Sequence, residues 1–159
     1  MTLLAAVLLS SILPAGQDGT APDQRSIDRW VSDLGAQLCV VFRHFPLASI
    51  HPHAEAAALA AEAAGAQGKF WEMHDILFEN QRALENDDLL EYGQALELER
   101  TDFEESMRTA KHLSRVKEDF MSGVRSGVNG TPSFFVNGSR YDGDWTSVEP
   151  FLKVLEGLA

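Results

Sequence analysis

The fold prediction rests first on Phe42–Leu84, which reads FRHFPLASIHPHAEAAALAAEAAGAQGKFWEMHDILFENQRAL. The apolar run Gln37–Phe42 leads into this stretch, and its β-branched and aromatic residues predict a buried strand. Two helices are expected after it. His53–Ala66 is rich in alanine and glutamate, and Lys69–Gln81 repeats apolar residues at helical spacing. The stretch therefore predicts one strand that leads into a helical region.

A second informative stretch is Ser122–Gly138, which reads SGVRSGVNGTPSFFVNG. Within it, Ser133–Val136 predicts a strand, and Asn137-Gly138 is a dipeptide typical of two-residue hairpin turns. Ser139–Tyr141 then predicts the returning strand. The chain thus ends its helical region with a β-hairpin.

Three further helices are predicted from capping signals. Asn86 or Asp87 is predicted to cap a helix at Leu89–Leu98. Thr101–Glu104 is predicted to begin a helix of about 20 residues that reaches Phe120. Thr146–Glu149 is predicted to begin the helix Pro150–Leu158.

The first 25 residues admit two interpretations. Thr2–Leu9 is a continuous apolar run, which predicts a buried strand. The alternative is a weak secretory signal, since no basic residue precedes Arg25 and Leu13 stands where a signal needs a small residue. The run is too short for a transmembrane span, which needs about 20 apolar residues. Pro22–Leu34 then predicts the first helix, so the order strand, helix, strand indicates an α/β fold with a parallel strand pair.

Composition excludes several classes of function. The 159 residues carry a net charge of −11, which disfavours nucleic acid and anionic membrane surfaces as partners. Residues 55–119 hold 16 acidic and seven basic side chains, which we interpret as solvated helix faces. The single cysteine, Cys39, excludes an internal disulfide, a cysteine-rich zinc site and a two-cysteine redox centre within these residues.

Together the two quoted stretches resemble the DsbA family of thioredoxin-fold thiol–disulfide oxidoreductases, over roughly residues 27–158. They are similar to its bacterial branch of free domains and domains fused to sodium/proton antiporters. The resemblance implies a thioredoxin-like α/β fold with an inserted helical subdomain at about 53–122. We expect a thioredoxin-like domain at 26–159 after an atypical leader at 1–25. The family usually works in the periplasm or elsewhere outside the cytoplasm, but the weak leader leaves a cytoplasmic location open.

The family's catalytic motif is missing. The resemblance implies a Cys-x-x-Cys near Gln17, Asp18, Gly19 and Thr20, and none of these is cysteine. Cys39 lies inside a predicted strand rather than at a helix N-terminus, so we expect an inert core thiol. We therefore predict a family member without dithiol exchange, and whether it is an enzyme stays open. A true loss of the dithiol and a truncated or frameshifted start are both consistent with the sequence.

The other half of the family's site is present as Thr131-Pro132. The resemblance implies a cis peptide bond here and a loop that offers the backbone of Thr131 to an extended peptide or protein substrate. An alternative function is accordingly a non-catalytic peptide-binding module that uses this groove. The competing interpretation is a proline with a purely architectural role.

The serines and histidines suggest two other kinds of site. Ser10 or Ser11 could replace the cysteine if the chain were a glutathione-linked transferase, although Pro14 interrupts any helix that would start there. The five histidines lack a zinc-like ligand spacing, so we predict structural roles, no metal and no cofactor; they are His44, His51, His53, His74 and His112. The natural substrate and the oligomeric state are not predicted.

Overall fold

The computed structural model describes residues 4–10, 38–143, 153–155 and 157, and for 4–10 it describes the backbone. Within these residues, four strands form one sheet in the order β2-β1-β3-β4. Their bounds are Leu4–Ser10 for β1, Leu38–His44 for β2, Ser133–Val136 for β3 and Ser139–Tyr141 for β4. The strand predicted over Thr2–Leu9 is therefore present, and it lies in the centre of the sheet.

Strand pairing fixes which ends of the strands meet. β1 and β2 are parallel, in a register that runs from Leu4↔Leu38 to Ser10↔His44. β1 and β3 are antiparallel, and their register ends at Leu9↔Ser133. The hairpin between β3 and β4 is confirmed: Asn137 and Gly138 both have positive φ, at 48° and 82°, as a two-residue turn of type I′ requires.

Five helices are inserted between β2 and β3. They are α1 (Ala54–Gly65), α2 (Phe70–Glu79), α3 (Asn86–Ala95), α4 (Arg100–Arg108) and α5 (Leu113–Arg125). An inserted helical region is thus observed, as the fold prediction expects. Together with the mixed four-stranded sheet, it gives the thioredoxin-like α/β architecture that the sequence indicates.

The long helix predicted from Thr101 to Phe120 is wrong, because the chain breaks it into α4 and α5. Ala110 adopts a left-handed conformation with φ of 48°. Its N–H donates to the carbonyl of Met107, and the N–H of Lys111 donates to the carbonyl of Ser106. This pair of bonds is a Schellman ending, which usually carries glycine at the left-handed position. Because alanine is a good helix former, the sequence gives no signal for this helix end.

The predicted cap of α3 is also wrong. Asn86 is the first helical residue, and the N-cap is Glu85. Glu85 and Asp88 form a reciprocal capping box, in which the Glu85 N–H donates to Asp88 Oδ2 at 2.9 Å. The negative charges of this box favour the helix N-terminus.

The core of the helical insertion is built on alanine. α1 contacts each of the other four helices, and its alanine side chains allow these helices to approach closely. Large apolar side chains from α2, α3 and α4 fill the space around it. The buried members of this cluster include Ala57, Ala60, Ala61, Ala64, Met73, Leu77, Leu89 and Phe103.

An aromatic cluster joins the insertion to the sheet. Phe42 of β2 lies 4.8 Å from the ring of His74 and 5.8 Å from that of Phe70, both on α2. Trp71 of the same helix makes an edge contact with Phe42 at 6.4 Å. These packed rings fix α2 against β2.

Some predictions fall outside the described residues. Most of the predicted helix Pro150–Leu158 does so, although 153–155 are helical. The predicted helix Pro22–Leu34 lies entirely outside them. The division into 1–25 and 26–159 stays a prediction. Among the helices of the described part, none combines the length and the apolar character that crossing a membrane requires.

Candidate functional site

Three chain segments meet at one edge of the sheet. Because β1 and β2 are parallel and in register, their last residues, Ser10 and His44, are paired neighbours. β3 runs antiparallel to β1, so its first residue, Ser133, lies at the same edge, paired with Leu9. Pro132 comes immediately before it. This edge is where the carboxyl ends of the two parallel strands face the loop that precedes β3.

The Thr131–Pro132 peptide bond is cis, as the resemblance implies. Thr131 lies beyond the last register pair between β1 and β3, so its backbone is not part of that ladder. Its hydroxyl oxygen is buried and has no hydrogen-bond partner within the part of the chain that the structure describes. The loop therefore brings main-chain and side-chain polar groups to the edge of the sheet.

Local contacts fix the loop that leads to this bond. Gly127 adopts φ of 78°, and its N–H donates to the carbonyl of Val124 while the Val128 N–H donates to that of Gly123. This Schellman ending turns the chain out of α5. The Ser133 hydroxyl donates to the carbonyl of Gly130 at 2.8 Å.

A polar network lies behind the end of β2. The buried carboxylate of Asp119, only 1% exposed, accepts a hydrogen bond from Arg43 Nη1 at 2.8 Å and one from the His44 N–H at 3.1 Å. Arg115 Nη1 lies 3.4 Å from the same carboxylate. His44 Nε2 donates to Glu62 Oε1 at 3.1 Å. The network joins β2 to α1 and α5, so it holds the helical insertion beside the candidate site.

Electrostatics in this network favour the ionised form of Glu62. The hydrogen bond from His44 lowers the pKa of Glu62, against the opposing effect of burial, and the nearby charges of His44, Arg115 and His112 lower it further. Sequence reasoning did not single out Glu62, Arg115 or Asp119. A signal for Asp119 was available, because it shares the buried face of α5 with Val116 and Gly123.

His74 lies in an apolar setting. It is 3% exposed, and the rings of Phe42, Trp71 and Phe78 pack against it at centroid distances of 4.8, 5.3 and 4.5 Å. Its Nδ1 lies 2.9 Å from Asp75 Oδ1, while its Nε2 has no partner in the described part of the chain. Burial lowers the pKa of His74, and the hydrogen bond to Asp75 opposes that shift.

The remaining histidines are dispersed. His53 Nε2 lies 3.4 Å from Glu85 Oε1, and His112 is the N-cap of α5. His51 follows the turn after β2, where its N–H donates to the carbonyl of Leu47. Within the described ranges, no three histidine, cysteine, aspartate or glutamate residues are grouped as metal ligands would be.

The residues predicted for a nucleophile are only partly described. Gln17, Asp18, Gly19, Thr20 and Ser11 lie outside the described residues. Ser10 is the last residue of β1, and only its backbone is described. The transferase hypothesis for Ser10 or Ser11 therefore stays a prediction.

Cys39 lies within β2, as predicted. It is paired with Ala5 of β1 and is half-buried. The register places it five residues before His44, the last residue of the strand. The thiol is therefore part of the strand body rather than of the site edge.

Comparison with known protein families gives one match that covers most of the chain. The model of the DSBA-like thioredoxin domain matches residues 24–155. Similar folds occur in the thiol-disulfide exchange protein alpha-DsbA2 of Wolbachia pipientis, with a TM-score of 0.82 and 18% identity, over 99% of this chain and 83% of that one. BdbD of Bacillus subtilis gives a TM-score of 0.80 at 16% identity, over 97% and 86% of the two chains.

Curated relatives are more similar in sequence but much longer. The Na(+)/H(+) antiporter NhaA 1 of Salinispora arenicola is 48% identical over 105 residues, which are 66% of this chain and 16% of the antiporter. The corresponding protein of a Mycobacterium species is 40% identical over 133 residues, 82% of this chain and 22% of the antiporter. The chain thus spans between 16% and 22% of the length of these two antiporters.

Proposed function

Because the chain belongs to the family of DSBA-like thioredoxin domains, we propose that it binds extended polypeptide at the Thr131-Pro132 edge and performs no dithiol–disulfide exchange. The observation that carries this proposal is the cysteine count. The 159 residues contain one cysteine, and Cys39 lies within β2 rather than at the edge where β1 ends.

Dithiol exchange needs two thiols in succession. A thiolate attacks a disulfide to form a mixed disulfide, and a second thiol resolves it. A chain with one thiol can form at most the mixed species with a substrate. Cys39 also lacks the helix N-terminus that activates a nucleophilic thiol, because it stands in a strand.

Polypeptide binding does not need the thiols. An extended segment can add to a strand edge through main-chain hydrogen bonds, which supply affinity without side-chain chemistry. Thr131 lies beyond the β1–β3 ladder, at the edge where Ser10 and His44 end their strands. Its backbone groups, which that ladder does not use, support a role in holding such a segment.

The redox half of the proposal is tested with insulin as a reducible substrate. We expect the protein to accelerate insulin reduction by dithiothreitol no more than the cysteine-free variant Cys39→Ser does. Turnover of the unmodified protein above that control would overturn the absence of dithiol exchange.

The binding half is tested with a fluorescent, reduced and carboxymethylated insulin B chain, an extended peptide that cannot form disulfides. We expect saturable binding, with an affinity at least fivefold lower in Pro132→Ala. Pro132 immediately precedes β3 and follows Thr131, so its replacement should shift the Thr131 backbone. The matched control is Pro52→Ala, which alters an exposed proline in the loop between β2 and α1. No binding, or equal binding by both variants, would overturn the role of this edge.

A further inference from the structure

Arg140 of β4 contacts the loop that precedes Thr131. Its Nη1 donates to the carbonyl oxygen of Gly127 at 2.8 Å, and its Nη2 donates to Asn129 Oδ1 at 3.3 Å. Its Nε lies 2.8 Å from Asp142 Oδ1. One guanidinium group therefore connects the last strand of the hairpin to two positions of the loop.

The arrangement differs from an ordinary surface ion pair. A guanidinium presents several N–H donors in a fixed plane, so it can hold a main-chain carbonyl and a side-chain oxygen at the same time. Asp142 forms an ion pair on the Nε side of the group, which favours this orientation. The partners lie 11 and 13 residues earlier in the chain, so the contact ties two separate segments together.

The loop is held at its other end by a separate contact. The Ser133 hydroxyl donates to the carbonyl of Gly130, three residues beyond Gly127. Between these two contacts Val128 is buried in a cluster with Phe45, so apolar packing also holds the middle of the loop. Thr131 follows directly after the second contact, so the position of its backbone depends on how firmly residues 127–130 are held.

We propose that Arg140 is a positioning residue: it holds the 127–130 loop so that the Thr131 backbone is placed for an extended polypeptide. This inference rests on the polypeptide binding proposed above. Arg140 itself need not touch the bound segment. It acts by holding Gly127 and Asn129, which precede Thr131 in the loop.

The test uses Arg140→Lys, which keeps the positive charge and loses the planar set of donors. The control is Arg108→Lys, because the Arg108 guanidinium pairs with Glu105 on its own helix. Two quantities are measured on the full chain: hydrogen exchange of the amides at 127–131, and the Kd for the carboxymethylated insulin B chain. Thermal melting checks that both variants are folded.

We expect Arg140→Lys to speed exchange at 127–131 by about fivefold and to weaken binding by a similar factor, because hydrogen bonds to a charged group are lost. Arg108→Lys should change neither quantity. Unchanged hydrogen exchange in Arg140→Lys would show that Arg140 does not hold the 127–130 loop. Faster exchange with unchanged Kd would overturn its role in positioning, while polypeptide binding would stand.

The two proposals fail in different ways. If the unmodified protein does not bind the peptide, the proposed function and the positioning role both fall. The exchange measurement does not require the peptide, so it still decides whether Arg140 holds the loop.

Discussion

The backbone N–H of His44 donates a 3.1 Å hydrogen bond to Oδ2 of Asp119, which lies 75 residues later in the chain. The other oxygen of the carboxylate accepts from Arg43 Nη1. One buried side chain of α5 therefore accepts hydrogen bonds from the last backbone N–H of β2 and from the Arg43 guanidinium. The sheet edge and the helical insertion are coupled through this carboxylate.

Removal of this carboxylate should destabilise the protein strongly. Asp119→Ala leaves the His44 N–H without an acceptor and breaks the bond to Arg43, so we expect a loss of about 3 kcal/mol in the free energy of unfolding. Asp119→Asn, which can still accept from the His44 N–H, should lose less. Urea denaturation measures both changes.

The matched control for Asp119 is its neighbour Glu118, which is exposed on the same helix. Glu118→Gln should stay within about 0.5 kcal/mol of the unmodified protein. Equal stability of Asp119→Ala and Glu118→Gln would contradict the structural role of the network.

Stability should fall in mild acid because of His74. Burial lowers its pKa below 6.5, so between pH 6.5 and the lowered value the unfolded chain binds a proton that the folded chain does not. The free energy of unfolding therefore rises with pH through this window and falls as the pH drops below about 6.5.

The measurement is the slope of the unfolding free energy against pH, from urea titrations between about pH 7.5 and about pH 5. His74→Gln should flatten this slope, even if it lowers stability at every pH. His53→Gln serves as the control at a more exposed site. An unchanged slope in His74→Gln would show that another group governs the acid response.

Alanine at position 93 should disrupt the contact between α3 and α4. A Cβ added to Gly93 would lie 2.7 Å from two ring carbons of Phe103, which is buried. Overpacking of this kind costs about 1–3 kcal/mol, more than the gain of up to about 1 kcal/mol that alanine brings to a helix. We expect a net loss of stability by urea denaturation. Gly130→Ala, with no atom within 4 Å of the new Cβ, should be nearly neutral.

Cys39 should react slowly in the folded protein. The thiol lies in β2 with β1 beside it and is half-buried. We expect alkylation by iodoacetamide at neutral pH to be much slower in buffer than in denaturant, as intact-mass spectrometry would measure. The same rapid rate under both conditions would mean that the thiol is open to reagents, and the inert role of Cys39 would be wrong.

The sheet and the loop were predictable because their signals are local. The Asn137-Gly138 turn specifies its hairpin through the positive φ that both residues accept. The cis bond at Thr131-Pro132 was implied by the family resemblance that Ser122–Gly138 carries. Neither prediction required knowledge of distant contacts.

What the sequence did not reveal depends on context. Ala110 follows α4 in a left-handed conformation that alanine rarely adopts, so the helix was predicted to continue. The spacing of Asp119 from Val116 and Gly123 indicates a buried position, but its partners on β2 lie about 75 residues earlier and are known only from the fold. The loop contact of Arg140 likewise joins segments that only the hairpin and the end of α5 bring together.

The shortness of β4 has a consequence for solubility. Within the described residues it is the last strand of the sheet order, three residues long, with Ser139 and Arg140 exposed. Long apolar sheet edges recruit strands from other molecules and lead to aggregation, whereas short and charged edges resist it. The domain for which we propose polypeptide binding beside Thr131 therefore has, at β4, a sheet edge that resists strand pairing with copies of itself.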